Sequence, residues 1–231
     1  MDICEAFLDA YRNLEEVLAA KYGQKMGTVQ MYAQGEGSAY FEELSLFREM
    51  RNLLSHHGRI NGAHAVLPSE ASLNKLLEIL EYAKHPPMAM YAATPASKLC
   101  CARLTDSISF VLETMEKRGY SHIPVLNKRG GLYGVFSVGT LFALAKENPK
   151  RSVDGMTLAD IAAHLPAEKH TTEKFEFVNR DASLYEIKGL FKAPGPYHRR
   201  VAAVFVTESG SSGSKLCGMI TPWDVFKAEE R

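Results

Sequence analysis

The sequence predicts an α+β protein, with an all-helical N-terminal domain over residues 1–85 and a mixed helix-and-strand region over residues 86–231. Two observations lead to this fold class. Apolar residues recur at helical spacing through the first third of the chain, and the remainder repeats one strand-and-helix pattern twice. His85-Pro86-Pro87 separates the two regions, because proline ends a helix and disfavours helical backbone in the residue before it.

Three amphipathic helices are predicted in the first domain. The first ends near Gly23, and its apolar stripe is Phe7, Tyr11, Leu14 and Leu18. The second runs from about Tyr40 to Ser55, with Gly58 as its expected left-handed C-cap. Its apolar stripe is Leu44, Phe47, Met50 and Leu54. The third spans about Ser72 to Lys84, and its expected inner face is Leu73, Leu76, Leu77 and Leu80.

An internal repeat organises the second region. The run Leu132–Phe142 is echoed by Leu216–Phe226, and in each copy an apolar strand ends on a hydroxyl residue just before a helix opens. A second apolar run precedes each copy, Ile123–Leu126 in the first and Ala202–Val206 in the second. The repetition predicts two similar units built from adjacent strands and a following helix.

The repeated residues resemble the CBS domain, which normally occurs as a tandem pair called a Bateman module. The first copy reads His122-Ile123-Pro124-Val125 and then Gly134-Val135-Phe136-Ser137. The second copy reads Gly218-Met219-Ile220-Thr221, with Asp224 three positions further on. The resemblance covers about residues 86–231, with the first repeat at about 86–150 and the second at about 151–231.

The resemblance implies two clefts that can bind adenosyl ligands such as AMP, ADP, ATP or S-adenosylmethionine. In the first cleft Asp224 would accept hydrogen bonds from both ribose hydroxyls, since an ionised carboxylate suits a vicinal diol and a helix N-terminus favours its charge. Thr221 would donate to a phosphate. The expected adenine neighbours are Tyr120, Ser121 and Ile123, and Met219 is a further expected ligand-binding residue. Trp223 lies beside Asp224 and is expected to pack against the protein rather than to stack on a base.

The second cleft departs from the family pattern. It would be built on Ser137 and Thr140, and Thr140 cannot offer the charged double acceptor that a ribose needs. Ribose binding is therefore expected to be weaker there or absent. Arg199 and Arg200, which precede the second-copy strand, could hold phosphates in this cleft or could be two exposed arginines on a loop.

A short motif in the helical domain resembles the HEPN superfamily, some members of which are metal-independent RNases. The motif is Arg51-Asn52 followed at HEPN-like spacing by His56 and His57. Arg51 could stabilise a phosphorane-like transition state, and either histidine could transfer the proton. Five helical positions place Arg51 and His56 about 140° apart, so the two converge only at a helix end or across a dimer.

The structural alternative for this motif requires no chemistry. Asn52 and His56 could cap the helix, and Arg51 could form an ion pair with Glu49, Glu78 or Glu81. Nucleic acid is expected as a partner only if the RNase alternative holds.

Composition limits the other functions. The chain has 231 residues and no net formal charge; residues 1–85 hold eight Lys and Arg against twelve Asp and Glu, and the remainder holds nineteen against fifteen. Neither part carries the dense basic stripe of a nucleic-acid-binding protein. No apolar run reaches the ~18 residues of a membrane span, and no signal peptide is recognised, so a cytoplasmic location is expected. The four cysteines lack zinc-site spacing and predict no metal site; they are Cys4, Cys100, Cys101 and Cys217.

These observations predict a regulatory protein whose CBS pair binds an adenine nucleotide or a related adenosyl ligand, with no required cofactor. A homodimer is expected, because CBS pairs and HEPN domains both commonly associate through apolar helix faces. Two alternatives remain open: an RNase gated by the CBS pair, and an assembly module without a ligand.

Overall fold

The computed structural model of the chain describes residues 2–23, 26–56, 62–64, 66–147, 149, 152–193 and 199–229. The chain divides into two compact units, Met1–Pro86 and Pro87–Arg231. Within the described residues the regular elements of the first unit are all helices, and the second unit combines helices with two sheets. The prediction of an α+β fold with a helical N-terminal region is therefore confirmed.

The helical unit contains the three predicted helices and a short additional one. The helices are α1 (Ile3–Tyr22), α2 (Thr28–Gln34), α3 (Phe41–His56) and α4 (Glu70–Lys84). Gly23 ends α1 in the left-handed conformation (φ 67°), as its position predicted. Helix α2 was not predicted, because seven residues are too few to display helical periodicity. Gly58 lies outside the described residues.

The inner face of α4 differs by one position from the predicted stripe. Ile79 is fully buried, whereas Leu77 is 42% exposed. The buried residues of the helix are Leu76, Ile79, Leu80 and Ala83. This face follows the spacing of three and four residues that one side of a helix presents. Leu77 therefore lies outside the stripe although its residue type suggested a core position.

The second unit begins with a short helix and strand and then contains two repeats in the order strand, helix, strand, strand, helix. The leading elements are α5 (Ala89–Ala92) and β1 (Thr94–Pro95). The first repeat comprises β2 (Ala102–Arg103), α6 (Ile108–Arg118), β3 (His122–Leu126), β4 (Leu132–Ser137) and α7 (Val138–Glu147). The second comprises β5 (Lys174–Val178), α8 (Leu184–Lys192), β6 (Val201–Thr207), β7 (Leu216–Ile220) and α9 (Pro222–Glu229).

Both repeats have the same strand topology. The first sheet has the order β2-β3-β4 and the second the order β1-β7-β6-β5. In each repeat the first strand pairs in parallel with the second, and the second pairs antiparallel with the third. A helix joins each parallel pair, as such a crossover requires. The internal repeat seen in the sequence is thus a repeat of structure.

The segment that leads into each repeat closes the sheet of the other one. Thr94 of β1 pairs with Met219 of β7, in the second repeat. In the same way Leu165, which leads into the second repeat, accepts a backbone hydrogen bond of 2.8 Å from Val135 of β4, in the first repeat. We call these two pieces of chain, 94–100 and 165–174, the leading segments.

Matching glycines permit this close approach. A Cβ atom on Gly134 would lie 2.2 Å from the carbonyl oxygen of Leu165, and one on Gly218 would lie 3.0 Å from that of Thr94. Both distances are shorter than ordinary contacts to a Cβ atom, so each strand needs glycine where the leading segment passes.

The two repeats also share an apolar core. Residues from β4, β5, β6 and β7 form one buried cluster, which consists of Leu132, Val135, Phe175, Ala203, Phe205 and Leu216. Each repeat has a further apolar cluster of its own. None of the described helices combines the length and the apolar character that crossing a lipid bilayer demands.

Candidate functional site

The first candidate site lies where β7 passes directly into α9. Proline is favourable at the first position of a helix, and Pro222 opens α9 immediately after Thr221. The backbone N–H and the hydroxyl of Thr221 both donate to Oδ2 of Asp224, at 2.8 Å and 2.6 Å. These two bonds fix the carboxylate at the start of the helix.

Asp224 keeps one carboxylate oxygen for other contacts. Its side chain is half-buried, and among the described residues all its hydrogen bonds use Oδ2. The positive end of the α9 dipole favours its negative charge. Oδ1 is therefore an acceptor that a ligand hydroxyl can use without displacing protein.

A cavity of about 420 Å³ adjoins this carboxylate, and we call it the Asp224 cleft. This volume lies in the range of small-molecule sites. Three stretches of the second unit line it. They are the leading segment with Thr94, Lys98, Leu99 and Cys100, the start of β3 with Gly119, Tyr120 and His122, and the β7–α9 junction with Met219, Thr221, Trp223, Asp224 and Lys227.

The Asp224 cleft combines an anionic acceptor with cationic groups. Lys98 and Lys227 line it together with Asp224. An adjoining cavity of about 500 Å³ shares Lys98 and Tyr120 with it and adds Lys117 and Arg118. A carboxylate suits a diol, and lysine and arginine side chains suit phosphates. The lining is therefore chemically matched to a nucleotide.

The other residues expected in this cleft fall into two groups. Tyr120 and Met219 line the Asp224 cleft. Ser121 is exposed, and its Oγ lies 3.1 Å from Nδ1 of His122. Ile123 is 1% exposed and belongs to the core of the first repeat. Because successive side chains of a strand point to opposite faces, His122 faces the cleft and Ile123 does not.

Eight of the twelve lining residues were not predicted as part of the site, among them Trp223, Lys227 and Lys98. Trp223 is 74% exposed at the edge of the cleft, and its ring centroid lies 6.1 Å from that of Phe226. Lys227 could have been inferred, because it lies three positions after Asp224 on the same helix. Lys98 belongs to a Pro-Ala-x-Lys sequence, residues 95–98, that recurs at residues 166–169.

The second candidate site, the Ser137 cleft, lies at the junction of β4 and α7. Ser137 and Thr140 are both at most 1% exposed. Their side chains cap the helix reciprocally, because Thr140 Oγ1 accepts from the Ser137 amide at 3.1 Å and Ser137 Oγ accepts from the Thr140 amide at 3.3 Å. The same junction that leaves Asp224 beside a cavity is therefore buried here.

Glu173 occupies the Ser137 cleft. Its carboxylate accepts hydrogen bonds from the Ser137 hydroxyl, from Nε2 of His122 at 2.7 Å and from Nδ1 of His170 at 3.1 Å. A Cβ atom on Gly139, in the first turn of α7, would lie only 2.8 Å from Glu173 Oε1. The carboxylate thus fills the space directly beside the helix N-terminus.

The surroundings of Glu173 keep it ionised. Burial by itself raises the pKa of this carboxyl, but the hydrogen bonds from His122, His170 and Ser137 outweigh burial and hold the pKa well below its usual range. Glu173 was not among the predicted site residues, and it has no counterpart in the first repeat.

The two arginines expected in the second cleft have other contacts. Arg199 Nη1 donates to the backbone carbonyl of His170 at 2.9 Å. Arg200 is exposed, and its backbone carbonyl accepts from the amide of Lys174 at 3.0 Å. Arg199 therefore holds the chain segment that carries Glu173.

The candidate RNase residues are only partly described. Arg51 donates to Glu15 Oε1 at 2.8 Å and to the side chain of Asn52 at 3.1 Å, and none of the three expected glutamates is its acceptor. His56 is the last residue of α3, and its side chain, like the whole of His57, lies outside the described residues. The structure thus places Arg51 in an ion pair between α1 and α3.

The surroundings of the Cys101 thiol do not favour its reactive thiolate form. Burial, with a smaller effect from Cys100, raises the pKa of the Cys101 thiol to about 11.

In the helical unit the potential metal ligands Asp2, Cys4 and His64 lie within 4.8 Å of one another. Asp2 Oδ1 also accepts the Cys4 amide, at 3.4 Å, as the N-cap of α1.

The fold defines a protein with two duplicated α/β repeats, and a ligand-sized cavity adjoins the strand–helix junction of the second repeat. The model of the CBS domain family matches residues 95–147 and 167–231, which together make up about half of the chain. The chain belongs to the CBS domain family, and its second unit is a tandem CBS pair.

Several solved structures are similar to this chain. The structure of CbpB in complex with c-di-AMP is 17% identical and covers 68% of this chain and 93% of its own, with a TM-score of 0.49. The structure of CBSX2 in complex with AMP is 19% identical over 62% of this chain and 96% of its own, with a TM-score of 0.45. CbpB from Streptococcus agalactiae is 19% identical over 62% and 79%, with a TM-score of 0.45. The search of curated proteins found no match.

Proposed function

We propose that the CBS pair binds one adenine nucleotide or related adenosyl ligand in the Asp224 cleft and acts as a regulatory sensor of that ligand. The observation that carries this proposal is the 420 Å³ cavity in which Asp224 stands beside Lys98 and Lys227. The acceptor and the cations there match the diol and the phosphates of one molecule.

Each part of the ligand has a partner in this arrangement. Asp224 accepts the ribose hydroxyls, using the Oδ1 atom that its helix cap leaves available. Lys98 and Lys227 neutralise the phosphates. Tyr120 and Trp223 offer aromatic surface to the base. The Thr221 hydroxyl already donates its hydrogen bond to Asp224. The lysines, rather than Thr221, therefore donate hydrogen bonds to the phosphates.

Calorimetry of the full chain with AMP, ADP, ATP, c-di-AMP and S-adenosylmethionine tests this function. At least one ligand is expected to bind with one site per chain. Asp224→Ala removes charge-assisted hydrogen bonds worth about 1.5–3 kcal/mol, so the Kd of that ligand should rise roughly 100-fold.

Glu186→Ala is the matched control for that substitution. Glu186 accepts from the amide and the hydroxyl of Ser183 at the start of α8, as Asp224 does from Thr221, but it does not line the cleft. This variant should lose a helix cap and keep the ligand affinity. Binding that survives Asp224→Ala, or an equal loss in both variants, would reject the proposed site.

A homodimer formed through the helices of the CBS pair belongs to the same proposal. Helices α6 to α9 each expose large apolar side chains, between 46% and 74% exposed; they are Phe110, Val138, Phe142, Tyr185, Trp223 and Phe226. Such side chains favour burial in an interface. Sedimentation velocity should show a dimer that Phe142→Lys weakens at least 10-fold, with the exposed Lys192→Ala as control; an unchanged dimer would exclude this helix.

The RNase alternative remains a prediction from the Arg51 motif. The ion pair with Glu15 supports a structural role for Arg51. A ligand-free assembly module is the outcome if none of the five ligands binds.

A further inference from the structure

Three hydrogen-bond donors converge on one buried carboxylate in the Ser137 cleft, and the proposed nucleotide site uses none of these bonds. The donors are the hydroxyl of Ser137 and the rings of His122 and His170. The side chain of His170 is 1% exposed and those of His122 and Glu173 are 16% exposed. A buried charge is costly unless it is fully paired, and the three donors supply that pairing for the Glu173 carboxylate.

The ring of His170 lies between two hydrogen-bond acceptors. Its Nδ1 lies 3.1 Å from Glu173 Oε1, and its Nε2 lies 3.3 Å from the backbone carbonyl of Leu165. A carboxylate and a carbonyl only accept hydrogen bonds. Both contacts form together only when both ring nitrogens carry hydrogens, and the ring then is a cation that requires an anionic neighbour.

The two repeats differ in which carboxylate accepts the hydrogen bond from the hydroxyl residue at the junction. In the second repeat the Thr221 hydroxyl donates to Asp224, and the position equivalent to Asp224 in the first repeat is Thr140. There the Ser137 hydroxyl donates to Glu173 instead. A carboxylate from outside the junction has thus taken the place of the missing aspartate as acceptor.

The segment that carries Glu173 is an insertion. From Pro95 of the first leading segment to the N-cap of α6, Ser107, is a step of 12 positions, and from the equivalent Pro166 to the N-cap of α8, Ser183, it is 17. The five extra residues fall in the stretch that contains His170 and Glu173. The second leading segment therefore brings both the anion and one of its donors.

We propose that the Ser137 cleft is an oxyanion site for a carboxylate group and that Glu173 is its internal ligand, which closes this cleft and limits the CBS pair to one open site. Arg199 supports the arrangement by holding the His170 carbonyl. Removal of the Glu173 side chain should leave a site that a free small carboxylate, formate or acetate, can enter.

The test is chemical rescue of Glu173→Ala in the full chain, followed by thermal unfolding. The variant leaves the His170 cation without its partner, so its midpoint should fall by roughly 10 °C. Sodium formate or acetate, compared with sodium chloride at equal ionic strength, should raise the midpoint by about 2–4 °C once its concentration is several times its Kd. Inorganic phosphate, a larger anion, should rescue less.

Two controls make the result specific. Glu168→Ala removes an exposed glutamate from the same leading segment and should show neither the loss nor the rescue. The wild-type protein should show no formate effect beyond that of chloride, because its site is filled. A variant without formate-specific rescue, or an equal shift in the wild type, would overturn the proposal.

A second measurement keeps the proposal testable if Glu173→Ala does not fold. Nitrogen-15 NMR of the wild-type imidazole rings at neutral pH should show His170 with both nitrogens protonated, and Glu173→Gln, which keeps the side-chain size, should abolish that state. A neutral His170 in the wild type would contradict the anion site. Neither experiment depends on nucleotide binding in the Asp224 cleft, so the two proposals can fail separately.

Discussion

The two clefts of the CBS pair are built on the same strand–helix junction, yet one is open and the other is filled. In the Asp224 cleft the carboxylate belongs to the first turn of α9, so it borders the cavity without occupying it. In the Ser137 cleft the carboxylate of Glu173 enters from the second leading segment and takes the space that a ligand would need.

This difference shows how a duplicated site can diverge. The junction itself changes little, because in both repeats the amide of a hydroxyl residue donates to the side chain three positions later, in the first turn of the helix. The functional change lies in the segment that faces it, where five inserted residues provide Glu173. One insertion therefore decides which cleft can receive a ligand, although the residues of the junction remain similar.

Substitution of the two glycines that contact the leading segments should give the largest difference between the clefts, measured as the free energy of unfolding. Gly134→Ala would place a Cβ atom 2.2 Å from the Leu165 carbonyl oxygen, whereas Gly218→Ala would place one 3.0 Å from that of Thr94. The first should lower the free energy of unfolding by about 3 kcal/mol and the second by about 1 kcal/mol. Denaturant unfolding of both variants measures this difference.

Ligand binding should respond in the opposite order. Thr94 lines the Asp224 cleft and Leu165 supports the His170 ring, so Gly218→Ala should weaken the nucleotide and Gly134→Ala should spare it. Equal losses of stability, or a loss of affinity confined to Gly134→Ala, would show that the leading segments do not act on separate clefts.

Lowering the pH should reveal a smaller effect, the contribution of the ionised Glu173 to the free energy of unfolding. Its pKa is held below the ordinary value of 4.5, so the stability it contributes is present above that pH and is lost as the pH falls. The difference in unfolding free energy between the wild type and Glu173→Gln should therefore shrink by about 2 kcal/mol from pH ~4.5 to pH ~3. Denaturant titrations at several pH values measure it.

The variant comparison removes the effect of all other carboxyl groups, which titrate in both proteins. His122 and His170, which face Glu173, are present in both proteins. A difference that grows on acidification would mean that the carboxyl in the Ser137 cleft is bound in its neutral form.

The Thr221–Asp224 side of the open cleft was predictable from the sequence, because local and repeated patterns carry it. The β7–α9 junction places Thr221 and Asp224 at fixed spacing, and the duplicated strand brings Tyr120 opposite them. The alternation of side chains along β3 could have predicted that His122, and not Ile123, faces this cleft, since a strand places neighbouring side chains on opposite faces.

The filled cleft could not be predicted in the same way. Glu173 lies 36 residues from Ser137 along the chain, and no counterpart in the first repeat marks it. Its role depends on the path of the leading segment, which only the folded chain defines. For the same reason the partner of Arg51 was missed, because Glu15 lies 36 residues earlier on α1.

The exchange of leading segments has a consequence for how this domain pair can be divided. Thr94 completes the sheet of the second repeat, and Leu165 completes that of the first. Cleavage of the chain between the repeats would leave each fragment with the leading segment that completes the sheet of the other fragment. The duplicated halves are thus interlocked by their own connections, and the smallest autonomous piece of the CBS region is the pair.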